Sequence, residues 1–135
     1  MKMIVIVILD DRNGMMFNHR RQSQDRILRA HILDMIGGQK LWMNSYSAKL
    51  YGVMPPICVD DNFLDKAGQG EFCLVENSSL LLYEKKIENI VCFRWNQKYP
   101  GDFFLDIPLD NWKIVYTDEF AGSSHKKITK EIYER

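Results

Sequence analysis

The sequence has few of the residues that mark disulfide-rich and metal-binding proteins. Its 135 residues include only three cysteines and three histidines. Cys58, Cys73 and Cys92 are too far apart for CxxC spacing, and an odd number of thiols within apolar runs is typical of buried free cysteines. We therefore predict no disulfide framework and no metal site, and reduced thiols suit a cytoplasmic protein.

Excess charge and long apolar runs are also absent. Lysine plus arginine and aspartate plus glutamate both number 18, so the formal net charge is +0. Bulk charge thus gives no sign of a nucleic-acid-binding protein, which is usually basic. No apolar run approaches the ~20 residues of a membrane span, and the N-terminal run stops at Asp10, too early for a signal peptide. We expect a cytoplasmic protein with no membrane partner.

What the sequence does contain is the pattern of one α/β domain. A chain of 135 residues, 46% of them hydrophobic, is expected to form a single domain over residues 1–135. Strand-like runs alternate with helical patterns, which favours a parallel sheet with flanking helices. The last two strand-like runs, 112–120 and 127–133, are joined by a short turn and predict an antiparallel pair. The predicted fold class is therefore α/β with a mixed, mainly parallel sheet.

The unbroken run Met3–Leu9 predicts the central strand, because such runs are typical of strands buried on both faces. A long polar loop follows it, and Ser23 in that loop is a predicted helix cap. Open α/β sheets bind ligands beyond the carboxyl ends of their strands. We therefore predict that Arg20, Arg21 and Gln22 contact a small polar or nucleotide-like ligand, with a merely solvated loop as the alternative.

Polar residues follow two other predicted strands and would line the same edge of the sheet, and a further set lies at the end of a third strand. Those with a predicted ligand-binding role are Asn44, Ser45, Tyr46, Glu76 and Asn77, together with Trp95 and Asn96 at the third strand end. Of these, Trp95 and Asn96 lie beside a cation and a tyrosine, a set that suits stacking on a base. The alternative for that segment is an ordinary core edge followed by a loop.

Two titratable residues are the predicted catalytic groups. Asp25 is the candidate acid or base, although a helix start and flanking arginines lower a carboxyl pKa and also suit a structural anion. His125 is the candidate ligand contact or proton carrier. In Gly122-Ser123-Ser124-His125 a hydroxyl lies beside this imidazole, but nucleophilic catalysis also needs an orienting acid and an oxyanion hole. A turn with hydroxyl caps is the alternative.

Three segments follow one another near the C-terminus: Tyr99-Pro-Gly-Asp-Phe-Phe-Leu-Asp-Ile-Pro108, Trp112-Lys-Ile-Val115 and Ile132-Tyr-Glu-Arg135. Together they resemble the end of dihydrofolate reductases, where a Gly-Asp-x-x-Phe-Pro segment precedes a strand with tryptophan and a closing edge strand. The N-terminal strand, polar loop and acid-opened helix are similar to that family's first elements. The resemblance implies a mixed, mainly parallel sheet, and it places Asp25 near the family's catalytic carboxylate.

The resemblance also implies an NADPH site, but the residues at its positions differ. The family binds NADPH through Gly-Arg-Lys/Asn-Thr at one helix start and Gly-Gly at another. This chain has Asn44-Ser45-Tyr46-Ser47, without arginine, and Glu76-Asn77. A carboxylate repels a pyrophosphate, and side chains prevent its close approach to backbone N–H groups. We therefore expect the usual NADPH site to be absent, which leaves the cofactor unknown.

These observations give three hypotheses for function. The first is a protein that binds a small polar or nucleotide-like ligand at the sheet edge, with any chemistry led by Asp25. The second is an NADPH-dependent reductase with altered cofactor contacts. The third is an RNA- or protein-binding module that uses Arg20, Arg21 and Trp95. No feature indicates an oligomeric state.

A further resemblance connects Arg20–Asp25 and Gly122–His125 with short chains described as ribonuclease Z. That enzyme class uses a His-x-His-x-Asp-His metal cluster. The histidines of this chain, His19, His31 and His125, lack that spacing. The sequence therefore does not support ribonuclease Z chemistry.

Overall fold

The apolar run near the N-terminus forms the central strand of the main sheet. In the computed structural model, which describes residues 2–135, β1 (Met3–Leu9) is the fourth of seven strands. Val5, Ile6 and Val7 of this strand are fully buried. Both faces of β1 are therefore covered, and its predicted central position is confirmed.

The other elements alternate as the sequence pattern predicts, with some additions. The remaining strands within the described part of the chain are β2 (Gly14–Phe17), β3 (Arg20–Arg21), β4 (Leu41–Met43), β5 (Ile57–Val59), β6 (Phe72–Leu74), β7 (Ile87–Arg94), β8 (Phe103–Phe104), β9 (Lys113–Phe120) and β10 (Ile128–Glu134). The helices are α1 (Arg26–Ile36), α2 (Ser45–Tyr51) and α3 (Phe63–Lys66), with short 3₁₀ helices at Leu81–Lys86 and Leu109–Asn111. None of these helices is long and apolar enough to cross a membrane.

The main sheet is mixed and mainly parallel. Its seven strands lie in the order β5-β4-β6-β1-β7-β10-β9. Strand β1 pairs in parallel with β6 and β7, and β4 pairs in parallel with β5 and β6. Strand β10 runs antiparallel to both β7 and β9. The predicted fold class and the predicted antiparallel pair at the end of the chain are both confirmed.

A second, three-stranded sheet in the order β3-β2-β8 was not predicted. Strands β2 and β3 form a hairpin whose two turn residues, Asn18 and His19, have φ angles of 52° and 62°. Two consecutive positive φ angles suit a tight hairpin turn, which usually contains glycine. Since this turn has histidine in place of glycine, the sequence looks like a continuous polar loop.

Helix α1 lies on one face of the main sheet through apolar side chains that recur at helical spacing. Leu28, Ile32 and Ile36 are buried there. The predicted cap at Ser23 is wrong: Asp25 is the N-cap, and its carboxylate accepts hydrogen bonds from the backbone N–H groups of Ile27 and Leu28. An ionised carboxylate at the N-cap is favoured by the positive end of the helix dipole, so Asp25 outcompetes the earlier hydroxyl.

Two other helical segments begin in different ways. Helix α2 is capped by Asn44, whose side chain accepts the backbone N–H of Ser47, so Ser47 lies inside the helix. The 3₁₀ segment Leu81–Lys86 has no side-chain cap, and the backbone N–H of Leu80 before it donates to Asp106.

Candidate functional site

Three predicted ligand-binding residues from separate segments meet at the carboxyl edge of the main sheet. The Arg21 guanidinium donates to both carboxylate oxygens of Glu76, with Nε–Oε2 and Nη2–Oε1 distances of 2.9 and 3.0 Å. It also lies over the Tyr46 ring, 4.6 Å from the ring centre. The Ser47 hydroxyl donates to Glu76 at 2.7 Å, and the Tyr46 hydroxyl accepts the backbone N–H of Arg21 at 2.8 Å. We call these four residues the arginine cluster.

The ion pair in this cluster is largely shielded from water. Glu76 is buried and the Arg21 side chain is 22% exposed. Burial alone lowers the pKa of Arg21, but the hydrogen bonds and charge of Glu76 outweigh it and hold the pKa above its usual value. The guanidinium is therefore committed to Glu76 rather than free for an anionic ligand.

Because the loop before α1 folds over the sheet edge, little space remains there. Two cavities of about 10 Å³ each border Arg21, Ser23, Glu76 and Trp95. A volume of that size holds about one water molecule. The edge expected to carry an open ligand pocket is thus closed by the chain's own loop.

The other polar residues expected at this edge have their own partners. Asn44 donates its amide to the Asn77 carbonyl at 2.7 Å, and Asn96 donates to the Lys127 carbonyl and the Thr129 hydroxyl. Ser45 contributes its backbone N–H to a bond with Asp61. The structure therefore does not bring Asn96 together with Asn44 and Ser45.

The predicted loop residue Gln22 is tied to the turn after β1. Its Nε2 donates to the Asp10 carboxylate at 3.1 Å and to the Pro100 carbonyl at 3.2 Å. Its Oε1 is buried and has no hydrogen-bond partner among residues 2–135. Arg20, by contrast, is exposed and forms no ion pair with the described residues. The two neighbours thus have different surroundings.

Asp25 and His125, the predicted catalytic groups, are in direct contact. His125 Nδ1 lies 3.0 Å from Asp25 Oδ2, and the Asp25 side chain is 0% exposed. Ser123 and Ser124 each donate both a backbone N–H and a hydroxyl to this carboxylate. Burial alone raises the pKa of Asp25, but these hydrogen bonds outweigh it and hold the pKa well below its usual range. Asp25 is therefore a firmly ionised carboxylate.

The other imidazole nitrogen of His125 contacts two hydroxyl groups. Nε2 lies 3.1 Å from Ser23 Oγ and 3.0 Å from the Tyr99 hydroxyl. The indole of Trp95 stacks on the imidazole at 4.2 Å, and His125 is 5% exposed. Sequence reasoning named His125, Asp25 and Trp95. It assigned Ser23 only a capping role, and it placed Tyr99 in a base-stacking set with Trp95 rather than beside the histidine.

An open cleft lies beside this closed edge, between the small sheet and the loop after β6. Its volume is about 390 Å³, and it is lined by Met16, His19, Asn77, Asp102 and Phe103. Met16 and Phe103 are cross-strand partners in β2 and β8. Only Asn77 among these residues was predicted to bind a ligand, because the other four come together through the small sheet that the sequence did not reveal.

Residues 2–135 contain no group of three or more histidine, cysteine, aspartate or glutamate side chains that could hold a metal ion. The histidines also lie in different surroundings: His31 stacks on Phe120 at 4.3 Å, whereas His125 bonds to Asp25. The polar groups described above are therefore the chemistry available to a ligand in this part of the chain.

Comparison with known proteins finds similarity in structure but not in sequence. No protein-family model and no curated protein matches this chain. A solved structure of dihydrofolate reductase from Enterococcus faecalis, complexed with NADP(H) and RAB-propyl, is similar over 99% of this chain and 96% of the reductase. Its sequence identity is 12% and the TM-score is 0.69. This likeness shows a dihydrofolate reductase-like fold, as the sequence resemblance implied.

Proposed function

We propose that this protein binds a small polar, nucleotide-like ligand in the cleft between the β2–β3 turn and β8. The carrying observation is that an open cleft of about 390 Å³ combines an apolar floor with three polar side chains. Ligand pockets for small molecules span roughly 300–1,000 Å³ and typically pair apolar walls with a few polar groups. Met16 and Phe103 supply the apolar floor, and His19, Asn77 and Asp102 supply the polar groups.

The polar groups suit the hydrogen-bonding edge of a base. The Asn77 carbonyl is already engaged by Asn44, which leaves the Asn77 amide N–H groups as donors. Oδ2 of Asp102 accepts the backbone N–H of Asn18, which leaves Oδ1 as an acceptor. A donor and an acceptor in one cleft complement a base that presents a carbonyl next to an N–H, as uracil and guanine do. The half-buried Phe103 ring offers a surface for stacking.

An exposed cation lies just outside the residues that line the cleft. Arg20 follows His19 in the sequence as the first residue of β3, and it has no ion-pair partner within the described chain. A guanidinium binds phosphate through charge-assisted, bidentate hydrogen bonds. Arg20 therefore suits the phosphate of a nucleotide whose base occupies the cleft.

The fold and its local departures support a nucleotide other than NADPH. The similar reductase from Enterococcus faecalis is described as complexed with NADP(H), so this fold is compatible with a nucleotide ligand. In this chain, however, Glu76 and Asn77 lie in the segment after β6. The Glu76 carboxylate is paired with the Arg21 guanidinium, so this cation is not available to a pyrophosphate.

The test is calorimetric and thermal titration of the full chain with GMP, UMP, AMP, guanosine and NADPH. Ligand binding to the native state raises the unfolding midpoint, with about 2.7 kcal/mol of stabilisation at a hundredfold excess over Kd. We expect GMP or UMP to bind more tightly than AMP, and NADPH to cause no shift. Arg20→Met should weaken GMP binding about tenfold but leave guanosine binding unchanged, because only the nucleotide has a phosphate.

The hairpin turn provides a matched pair of variants. His19→Gly removes the imidazole while keeping a turn whose φ of 62° suits glycine, and Asn18→Gly does the same at φ 52° outside the cleft lining. We expect His19→Gly to weaken nucleotide binding and Asn18→Gly to leave it unchanged. Failure of all three mononucleotides to bind would overturn the proposal. NADPH binding with hydride transfer to dihydrofolate would instead establish the reductase, and binding of RNA alone would establish the RNA-binding module.

A further inference from the structure

The contacts of His125 connect three residues that the sequence places far apart. Ser23 Oγ lies 3.1 Å from His125 Nε2, and His125 Nδ1 lies 3.0 Å from Asp25 Oδ2. A hydroxyl, an imidazole and a carboxylate joined in this order form the arrangement that activates a serine for nucleophilic attack. We propose that Ser23 is a nucleophile that takes the acyl group of small esters, with His125 as its general base and Asp25 as a positioning residue.

The carboxylate fixes the protonation of the imidazole. Asp25 accepts seven hydrogen bonds, from Ile27, Leu28, His125 and twice each from Ser123 and Ser124. Being ionised, it acts as acceptor and holds the proton of His125 on Nδ1. In this tautomer Nε2 carries a lone pair that faces the Ser23 hydroxyl. A general base requires such a lone pair to accept the serine proton.

The imidazole is also held in a fixed orientation. Trp95 stacks on one of its faces at 4.2 Å with an interplanar angle of 23°, and His125 is 5% exposed. Helix α1 begins directly after Asp25, so the carboxylate itself is anchored to a rigid element. Such preorganisation reduces the rearrangement needed when the proton moves.

One cation without an ion-pair partner in the described chain borders the cavity beside Ser23. Arg29 lines this cavity together with Arg21 and Glu76, whose opposite charges are paired. Arg29 donates one N–H to Gln24 and retains further N–H groups for a developing oxyanion. Fixed cations in a site shielded from water stabilise developing negative charge far better than in solution.

The size of the space selects the substrate class. The two cavities that border Ser23 have volumes of about 10 Å³ each. Each is large enough for about one water molecule, so neither cavity holds an acyl group. An ester can reach Ser23 only from the solvent side of this half-buried residue, which favours a very small acyl group such as acetyl.

The reaction balances without any added redox partner. Ser23 Oγ forms a bond to the ester carbonyl carbon, and its proton moves to His125 Nε2. The tetrahedral oxyanion collapses, the bond to the leaving alcohol breaks, and the proton on Nε2 passes to that alcohol oxygen. Water then attacks the acetyl-serine in the same way, which releases acetate and restores the Ser23 hydroxyl.

A variant at Tyr99 distinguishes a catalytic Ser23 from a serine that only stabilises the fold. Its hydroxyl also reaches Nε2, at 3.0 Å. Since a neutral imidazole nitrogen has one lone pair, Ser23 and Tyr99 compete for it. Tyr99→Phe therefore leaves Nε2 to Ser23 alone and should keep or increase serine acylation, whereas a structural role would make the two hydroxyls equivalent.

The experiment treats the full chain with p-nitrophenyl acetate and follows p-nitrophenolate release, with peptide mass mapping of the acetylated residue. The variants are Ser23→Ala, Tyr99→Phe and Ser78→Ala, the last a half-buried serine with no histidine contact. Circular dichroism confirms that each variant is folded. We expect one acetyl group on Ser23 in the wild type, Tyr99→Phe and Ser78→Ala, and at least a hundredfold slower release in Ser23→Ala.

The site of acetylation and the rate in Ser23→Ala decide the outcome. Acetylation confined to lysines, or equal release by Ser23→Ala and the wild type, would overturn the proposal. Neither result would bear on nucleotide binding in the cleft, which is measured with different probes and variants.

Discussion

His125 Nδ1 and Asp25 Oδ2 are separated by 3.0 Å in space and by 100 residues in sequence. Through this contact the start of α1 is tied to the turn between β9 and β10. Both groups are almost completely buried, with side-chain exposures of 3% for His125 and 0% for Asp25. The contact therefore joins one helix to the antiparallel edge of the main sheet and places both groups beside Ser23.

The first prediction concerns the charge of Asp25. Asp25→Asn replaces one acceptor oxygen with an N–H₂ group that faces backbone donors, so it should lower the free energy of unfolding by about 3 kcal/mol at pH 7. The folded-state pKa lies below the usual value. The stabilisation is therefore present above the unfolded pKa of about 4 and is lost as the pH falls below it.

Urea denaturation of wild type and Asp25→Asn at a series of pH values measures this effect. The difference between the two proteins should be largest near neutral pH and should shrink below about pH 4. Asp110→Asn, at an exposed aspartate, serves as the matched control and should change stability by less than about 0.5 kcal/mol. A difference that is constant with pH would mean that the Asp25 charge does not provide the stabilisation.

The second prediction concerns Gly122, which lies against the same carboxylate. A Cβ atom at this position would be 2.3 Å from Asp25 Oδ2, closer than real contacts allow. Gly122→Ala must therefore displace Asp25 or the turn, with a loss of about 2 kcal/mol or more in unfolding free energy. Gly68→Ala is the control, because its nearest neighbour is the end of the Glu71 side chain at 3.2 Å, a much smaller overlap than at Gly122. Equal losses in the two variants would contradict the packing described here.

The third prediction tests the arginine cluster. Arg21→Met leaves the buried Glu76 carboxylate with Ser47 as its remaining hydrogen-bond donor, which should cost about 3 kcal/mol of stability. Arg20→Met, one residue earlier and exposed, should change stability by less than about 0.5 kcal/mol.

A double-mutant cycle measures the interaction energy between Arg21 and Glu76 apart from their contacts with other residues. Arg21→Met with Glu76→Gln removes both charges and should recover part of the loss caused by Arg21→Met alone, because no unpaired charge stays buried. Chemical denaturation of the four proteins gives the coupling energy. Strict additivity of the two single changes would show that the guanidinium and carboxylate do not stabilise one another.

The fourth prediction uses the cysteines as probes of burial. Burial raises the pKa of both the Cys73 and Cys92 thiols to about 12. Since the thiolate is the reactive form, these thiols should resist a disulfide reagent at pH 8 in the native protein. Half-buried Cys58 should react alone. In denaturant all three thiols should react. Cys58→Ser should abolish the reaction of the native protein. Rapid modification of Cys92 in the folded protein would contradict the burial described here.

Much of the main sheet could be predicted because its signals are local. The run Met3–Leu9 is apolar at every position, so it could only be buried on both faces. The spacing of Leu28, Ile32 and Ile36 fixed the buried side of α1 in the same way. The small sheet could not be predicted, because its hairpin turn has histidine at a position that usually has glycine, and β8 joins it from 84 residues beyond the turn.

In the candidate sites, too, local signals were predictable and long-range contacts were not. Residue type and position after a strand identified Arg21, Glu76, Asp25 and His125 as polar groups near the sheet edge. They did not identify their partners, because pairing depends on which side chains the completed fold brings within hydrogen-bond distance. Ser23 shows this well: a local argument made it a cap, yet its hydroxyl contacts His125 from the far end of the chain.

The sequence by itself determined the class of fold, the central strand and the apolar side of the first helix, since hydrophobic periodicity is a property of neighbouring residues. Only the tertiary structure decided that the loop closes the sheet edge, that an open cleft forms beside it, and that Ser23, His125 and Asp25 meet. These features depend on contacts between residues about one hundred positions apart. Such contacts leave no periodic trace in the chain, because each needs only one side chain of suitable chemistry at each end.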